Sequence, residues 1–224
     1  MFPAPNHPTQ PFLHKQAWYA ALPRAQQDSI AAQIYTLEGS RGSILLPAQE
    51  RTLGWYGVVR GLIKISGRSA SGRRSDFLGV AAGDWFGEGA VLKNELRRYD
   101  VIALRDTELL CLPSDVFHDL FATNLAFNQH LVACMNLSLS QAMAMIDAGR
   151  TRSPEQRIAL ALSRLFWSRT RQLDLTQDEL ANLAGMSRQT ANRALGALQE
   201  RGLISLALNR IKVRDDEALT RLLD

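Results

Sequence analysis

An α+β chain is expected: an N-terminal antiparallel β-roll, then a long helix, then a C-terminal unit of two crossing helices and a β-hairpin. Three observations predict this. Short apolar runs punctuated by glycine fill residues 35–113, and apolar residues recur at steps of three and four across 132–146. Two capped helical patterns separated by a tight glycine turn occupy 176–200. The implied parts are 1–123, 124–150 and 151–224.

A chain of 224 residues favours two compact units over one. Hydrophobic residues at 46% and charged residues at 21% exclude a disordered polymer. A formal charge of +4 permits contact with nucleic acid without demonstrating it. Cys111 and Cys134 are too few for a disulfide framework or a thiolate cluster, and inert thiols are the default. The start, Met1 to Asn6, lacks a basic segment before an apolar run, so no signal peptide is expected. The most apolar stretch, 125–146, is interrupted by Asn128, Gln129, His130, Asn136 and Gln141. A cytoplasmic protein without membrane contact is expected.

Pro3, Pro5, Pro8 and Pro11 make residues 1–11 a loose arm, and a helix follows from Phe12 to about Ile34, anchored by Trp18, Leu22 and Ile30. The apolar runs beginning at Ile44, Tyr56, Leu62, Phe77 and Asp100 read as short strands, with Ser71-Gly72 and Gly83-Asp84 as turns. Pro113 and Ser114 open helical sequence that breaks near Thr123-Asn124 and continues to about Ala148. Val132, Met135, Leu139, Ala142 and Ile146 have the spacing of a coiled-coil seam, which a second copy of the chain would cover. A helix packed only on its own β-domain is the alternative. Gly149, Arg150 and Thr151 suit a hinge, and Ser153 then caps a helix with Pro154 at its first position.

The most informative segment runs from Leu175 to Ile204. Thr176 and Glu179 form a capping box, Leu180, Leu183 and Ala184 supply a buried face, and Gly185 ends the helix. Ser187 caps a second helix whose inward stripe is Ala191, Ala194, Leu195 and Leu198. Two short helices so joined, with small residues at the crossing, fit a helix-turn-helix. Arg188, Gln189, Asn192 and Arg193 fall on the outward side near the second helix's N-terminus, the end that meets base edges in such motifs. Thr176, Ser187 and Thr190 suit phosphate contacts. Residues 203–206 and 210–213 alternate like a hairpin, a wing from which Arg210 and Lys212 could reach the backbone of a duplex.

Gly83-Asp84-Trp85-Phe86-Gly87-Glu88, then Arg97 to Ala103, then Gly185 to Arg193 resemble the Crp/Fnr superfamily of bacterial regulators, over nearly the whole chain. The resemblance implies a cyclic-nucleotide-binding-like roll that senses an effector, a dimerising helix, and a winged helix-turn-helix on palindromic promoter DNA beside RNA polymerase. It assigns Arg188, Gln189 and Arg193 to base reading. It assigns Gly87, Glu88 and Arg97 to an effector pocket, with Arg98 as the rival arginine and Ala142 and Met143 where a base would lie. Arg98, Tyr99, Ala142 and Met143 depart from the nucleotide-binding pattern, so cyclic AMP is not the expected effector; an ion pair between Glu88 and Arg97 would serve structure alone. An iron–sulfur cluster lacks its cysteines, while haem has only the isolated His14, His118 or His130 to ligate it.

Other functions fit less well. A metal-dependent β-barrel enzyme needs clustered ligands, whereas His7, His14, His118 and His130 are dispersed. No catalytic residue, metal site or firm cofactor is expected. A cyclic-nucleotide-binding module regulating a partner protein, or a Crp-like regulator needing no ligand, are the alternatives.

Overall fold

The computed structural model describes residues 9–68 and 74–223. The expected proline arm falls largely, and the Ser71-Gly72 turn wholly, outside the described residues. The described chain divides into two compact units, one formed by residues 9–68 with 79–136, the other by 74–78 with 137–223.

The first unit opens with three short helices, α1 (Thr9–His14), α2 (Ala17–Ala20) and α3 (Arg24–Gln33), in place of the single expected helix. The chain breaks where side chains recruit the backbone. Gln16 donates to the Phe12 carbonyl, and the buried Gln27 amide donates to the carbonyls of Tyr19 and Leu22. The Tyr19 hydroxyl returns a bond to the Gln27 carbonyl, and Pro23 begins α3. Such bonds satisfy a broken backbone as well as a continued helix would.

Strands β1 (Tyr35–Gly39), β2 (Ile44–Leu46), β3 (Gly54–Arg60), β4 (Leu62–Arg68), β5 (Arg74–Ala81) and β6 (Trp85–Phe86) follow. Helix α4 (Glu88–Lys93), β7 (Asp100–Ala103) and β8 (Thr107–Pro113) complete the roll. One sheet has the order β1-β8-β3-β6, the other β2-β7-β4-β5, with antiparallel registers such as Tyr35 opposite Cys111 and Ile63 opposite Ala103. The expected antiparallel roll is therefore present, and Gly83 makes its turn with φ 101°.

Helix α5 (Ser114–Thr123) and the first part of α6 (Leu125–Thr151) close the roll, separated at Asn124 as expected. Asn124 caps α6 through its side chain, which accepts from the Phe127 amide. Phe127 and Leu131 enter a core with Leu13, Trp18, Trp55, Phe117 and Leu120. Trp55 stacks on Trp85 at 4.2 Å, and Trp18 meets Phe127 edge-on at 5.1 Å. Large rings in offset and edge contact bury more area per residue than aliphatic side chains.

Helix α6 is long and apolar enough to cross a membrane by length and composition. Its polar interruptions are used, however: Gln141 donates to the Leu165 carbonyl at 2.7 Å. The residues expected to form a hinge, Gly149, Arg150 and Thr151, remain helical. The helix stops only at Arg152, because Ser153 must be extended before Pro154.

In the second unit, α7 (Pro154–Ala161) is followed by β9 (Gln172–Leu173), α8 (Gln177–Leu183) and α9 (Arg188–Glu200). Strands β10 (Ile204–Ala207) and β11 (Arg210–Val213) and helix α10 (Asp216–Arg221) end the described chain. The expected hairpin is β10–β11, turning at Leu208 and Asn209, with β9 added as a third strand beside β11.

Candidate nucleic-acid interface

The helix pair is set by local chemistry at both starts. Thr176 Oγ1 accepts from the Glu179 amide at 3.0 Å, and Glu179 Oε2 accepts from the Thr176 amide at 2.8 Å. These reciprocal bonds satisfy two of the orphan donors at the start of α8. Gly185 leaves the helix at φ 65°, a conformation that costs a side-chain-bearing residue. The Met186 amide then bonds back to the Ala181 carbonyl at 3.0 Å, closing the turn. Ser187 Oγ caps α9 by accepting from the Thr190 amide, and it lies 2.9 Å from the Thr190 hydroxyl.

Ala191, Ala194, Leu195 and Leu198 are buried, which turns the other side of α9 to solvent. Arg188, Gln189, Asn192 and Arg193 are all exposed there. Among the described residues, none of these four side chains has a hydrogen-bond or ion-pair partner. Two guanidiniums and two amides thus stand ready at the positive end of a helix dipole. Anions and hydrogen-bonding edges are the groups such an array binds.

Contacts without an obvious signal in the sequence support this array. Gln199 Oε1 accepts from the Leu206 amide at 3.1 Å, joining the end of α9 to β10. Arg210 pairs with Asp174 at 3.2 Å on the exposed side of the hairpin, while Lys212 is exposed. Arg157 donates to the carbonyls of Ala184 and Gly185 at 2.7 and 2.8 Å. None of these three contacts leaves a sequence trace; the alternation Gln172-Leu173-Asp174-Leu175 marks only the strand β9 that precedes Asp174.

In the roll, Gly87 takes φ 94° and opens α4 at Glu88. Arg97 is only 3% exposed; its Nη1 donates to the Pro47 carbonyl at 2.8 Å and its guanidinium lies 5.8 Å from the Tyr56 ring centre. Tyr99 has its phenol pushed up to about 12, first by burial and then by the charge of Glu88, against the opposing pull of Arg97. Burial likewise pushes the Tyr56 phenol to about 12 and the Cys111 thiol to about 11. These three groups are neutral at physiological pH. Arg98 is exposed and bonded to Glu95 at 3.0 Å. Ala142 and Met143 are exposed on α6, in the other unit.

Val132, Met135, Leu139 and Ile146, the expected seam, are 42–59% exposed, and Ala142 is exposed with them. His130 Nε2 lies 3.5 Å from Cys134 Sγ, both half-buried, while His14 packs edge-on to Tyr19 and His118 to Phe117. Among the described residues, no three His, Cys, Asp or Glu side chains gather as a metal-holding group.

The cyclic nucleotide-binding domain family matches residues 37–124, and the Crp-like helix-turn-helix domain family matches residues 156–222. The chain is 29% identical to a cyclic AMP receptor protein of Thermus thermophilus over 161 residues, 71% of this chain and 74% of the relative. It is 23% identical to a CRP-like cAMP-activated global transcriptional regulator of Mycobacterium tuberculosis, covering 86% of this chain and 90% of the relative. Among solved structures, FixK2 of Bradyrhizobium japonicum superposes with a TM-score of 0.72 at 19% identity, over 84% of this chain and 96% of that one. A Crp/Fnr-family regulator of Thermus thermophilus gives 0.62 at 26% identity, over 84% and 98%.

A nucleotide-binding-type roll followed by a long helix and a winged helix-turn-helix defines a DNA-binding transcription regulator. The chain belongs to the Crp/Fnr family.

Proposed function

We propose that the protein is a cytoplasmic homodimer that reads a palindromic promoter site in concert with RNA polymerase and performs no catalysis. The exposed stripe of Val132, Met135, Leu139, Ala142 and Ile146 supplies the dimer seam. Arg188, Gln189, Asn192 and Arg193 meet base edges, and Thr176, Ser187, Thr190 and Arg210 meet phosphates. The carrying observation is that the four side chains at the exposed start of α9 have no partner among the described residues. Long polar side chains kept free of internal bonds retain their donors for a ligand. Arg193→Ala is expected to abolish sequence-selective retardation in a gel shift while leaving weak, salt-sensitive binding. An unchanged footprint would show that the base-reading face lies elsewhere.

The two curated relatives above are named for cyclic AMP, and a corresponding pocket in the roll would use Gly87, Glu88 and Arg97. A different effector, or none, fits this chain better. Arg97 already serves a carbonyl and an aromatic face, and exposed Arg98 stands where nucleotide binders carry a small hydroxyl residue, with the bulky, half-buried Tyr99 next to it. Calorimetric titration with cyclic nucleotides is expected to give no heat of binding at micromolar ligand. A micromolar isotherm would restore the nucleotide reading.

A further inference from the structure

Arg157 lies on α7, and the resemblance to known regulators assigns it no role. It is half-buried, and its hydrogen bonds converge on one short piece of chain. A single nitrogen, Nη2, donates to both the Ala184 and the Gly185 carbonyl. Ala184 ends α8, where carbonyls lack helical partners and the helix dipole is negative. The turn's amides are already satisfied within it, since those of Gly185 and Met186 bond to Asn182 and Ala181. Arg157 supplies the missing half, the donors for its carbonyls. Among the described residues it has no acidic partner, so its charge is directed at this turn.

The position matters because only Met186 separates Gly185 from Ser187, the cap of α9. The direction in which Arg188 and Gln189 leave the helix start depends on the backbone path through those residues. A Cβ at Gly185 would stand 3.2 Å from the Arg157 nitrogen, so the guanidinium lies directly against the turn. Arg157 is itself anchored, because α7 packs on both α8 and α9.

We infer that Arg157 is a positioning residue for DNA recognition: it clamps the α8–α9 turn and thereby aims the base-reading start of α9. The inference rests on the reading that α9 enters the major groove. It predicts a loss of discrimination without the loss of a phosphate contact. A phosphate-binding arginine behaves differently, since its removal weakens all DNA alike and lowers the slope of log K against log salt by about 0.9.

The test compares the intact protein with Arg157→Ala, Arg157→Met and Arg157→Lys. Affinity is measured for the selected site and for unrelated duplex over a range of salt, with circular dichroism confirming the fold. Methionine keeps an aliphatic stem of similar packing and removes the donors, so the comparison survives if the alanine variant does not fold. Loss of the donors should lower the specific-to-nonspecific ratio by about tenfold with an unchanged salt slope. Lysine, which restores a cationic donor, should recover most of that ratio. A folded variant with an unaltered ratio overturns the inference, as does an equal loss on both duplexes with a reduced slope. Failure of the unsubstituted protein to discriminate between the duplexes would instead strike the DNA-reading assignment itself.

Discussion

Asp174 is the residue whose charge bears most directly on the wing. Its carboxylate holds Arg210 at 3.2 Å, with both side chains more than half exposed. An exposed pair contributes little to folding because water and salt screen it, so its release costs the protein almost nothing. The same carboxylate repels a phosphate and occupies a cation that could neutralise one. Asp174→Asn is therefore expected to strengthen DNA binding several-fold at low salt and to steepen the salt dependence by about one ion. Fluorescence anisotropy across a salt series measures both quantities; unchanged affinity and slope would place Arg210 off the duplex. Contacts of this kind were not legible beforehand, because Asp174 and Arg210 lie 36 residues apart. The free polar face of α9 was legible, since Arg188, Gln189, Asn192 and Arg193 fall between buried positions of a helical period.

At the scale of the element, the starts of the DNA-binding helices rest on caps written in three or four consecutive residues. Ser153 and Gln156 make a capping box at α7 just as Thr176 and Glu179 do at α8. Thr176→Ala is expected to lower stability by about 1 kcal/mol through the loss of one cap, read as a shifted urea midpoint with constant slope. No shift would mean that solvent replaces the hydroxyl at no cost. Local chemistry of this sort explains why α7, α8 and α9 begin where the sequence places them. Elements governed by distant partners were harder to foresee. The N-terminal helix divides because Gln27 reaches back to Tyr19 and Leu22. Strand β8 is buried at nearly every position, so it lacks the alternation that marks a half-exposed strand. Helix α6 ran past Gly149 because that glycine occupies open space and no turn, and the following proline sets the stop.

For the whole molecule, the proposed function assigns the exposed stripe of α6 and the free face of α9 to one mechanism. A single recognition helix touches few base pairs, and doubling it through a symmetric dimer squares the discrimination available to one half-site. In the proposed reading the roll would act by changing the poise of that dimer, and its sequence departs from the nucleotide-binding pattern at Arg98 and Tyr99. Selection of bound sequences from a randomised duplex pool, followed by the stoichiometry of the selected complex, tests the account most directly. An inverted repeat with half-site centres about 10 base pairs apart, holding two chains per duplex, is the predicted result. Enrichment of a single unrepeated site holding one chain, or of no sequence at all, would contradict it.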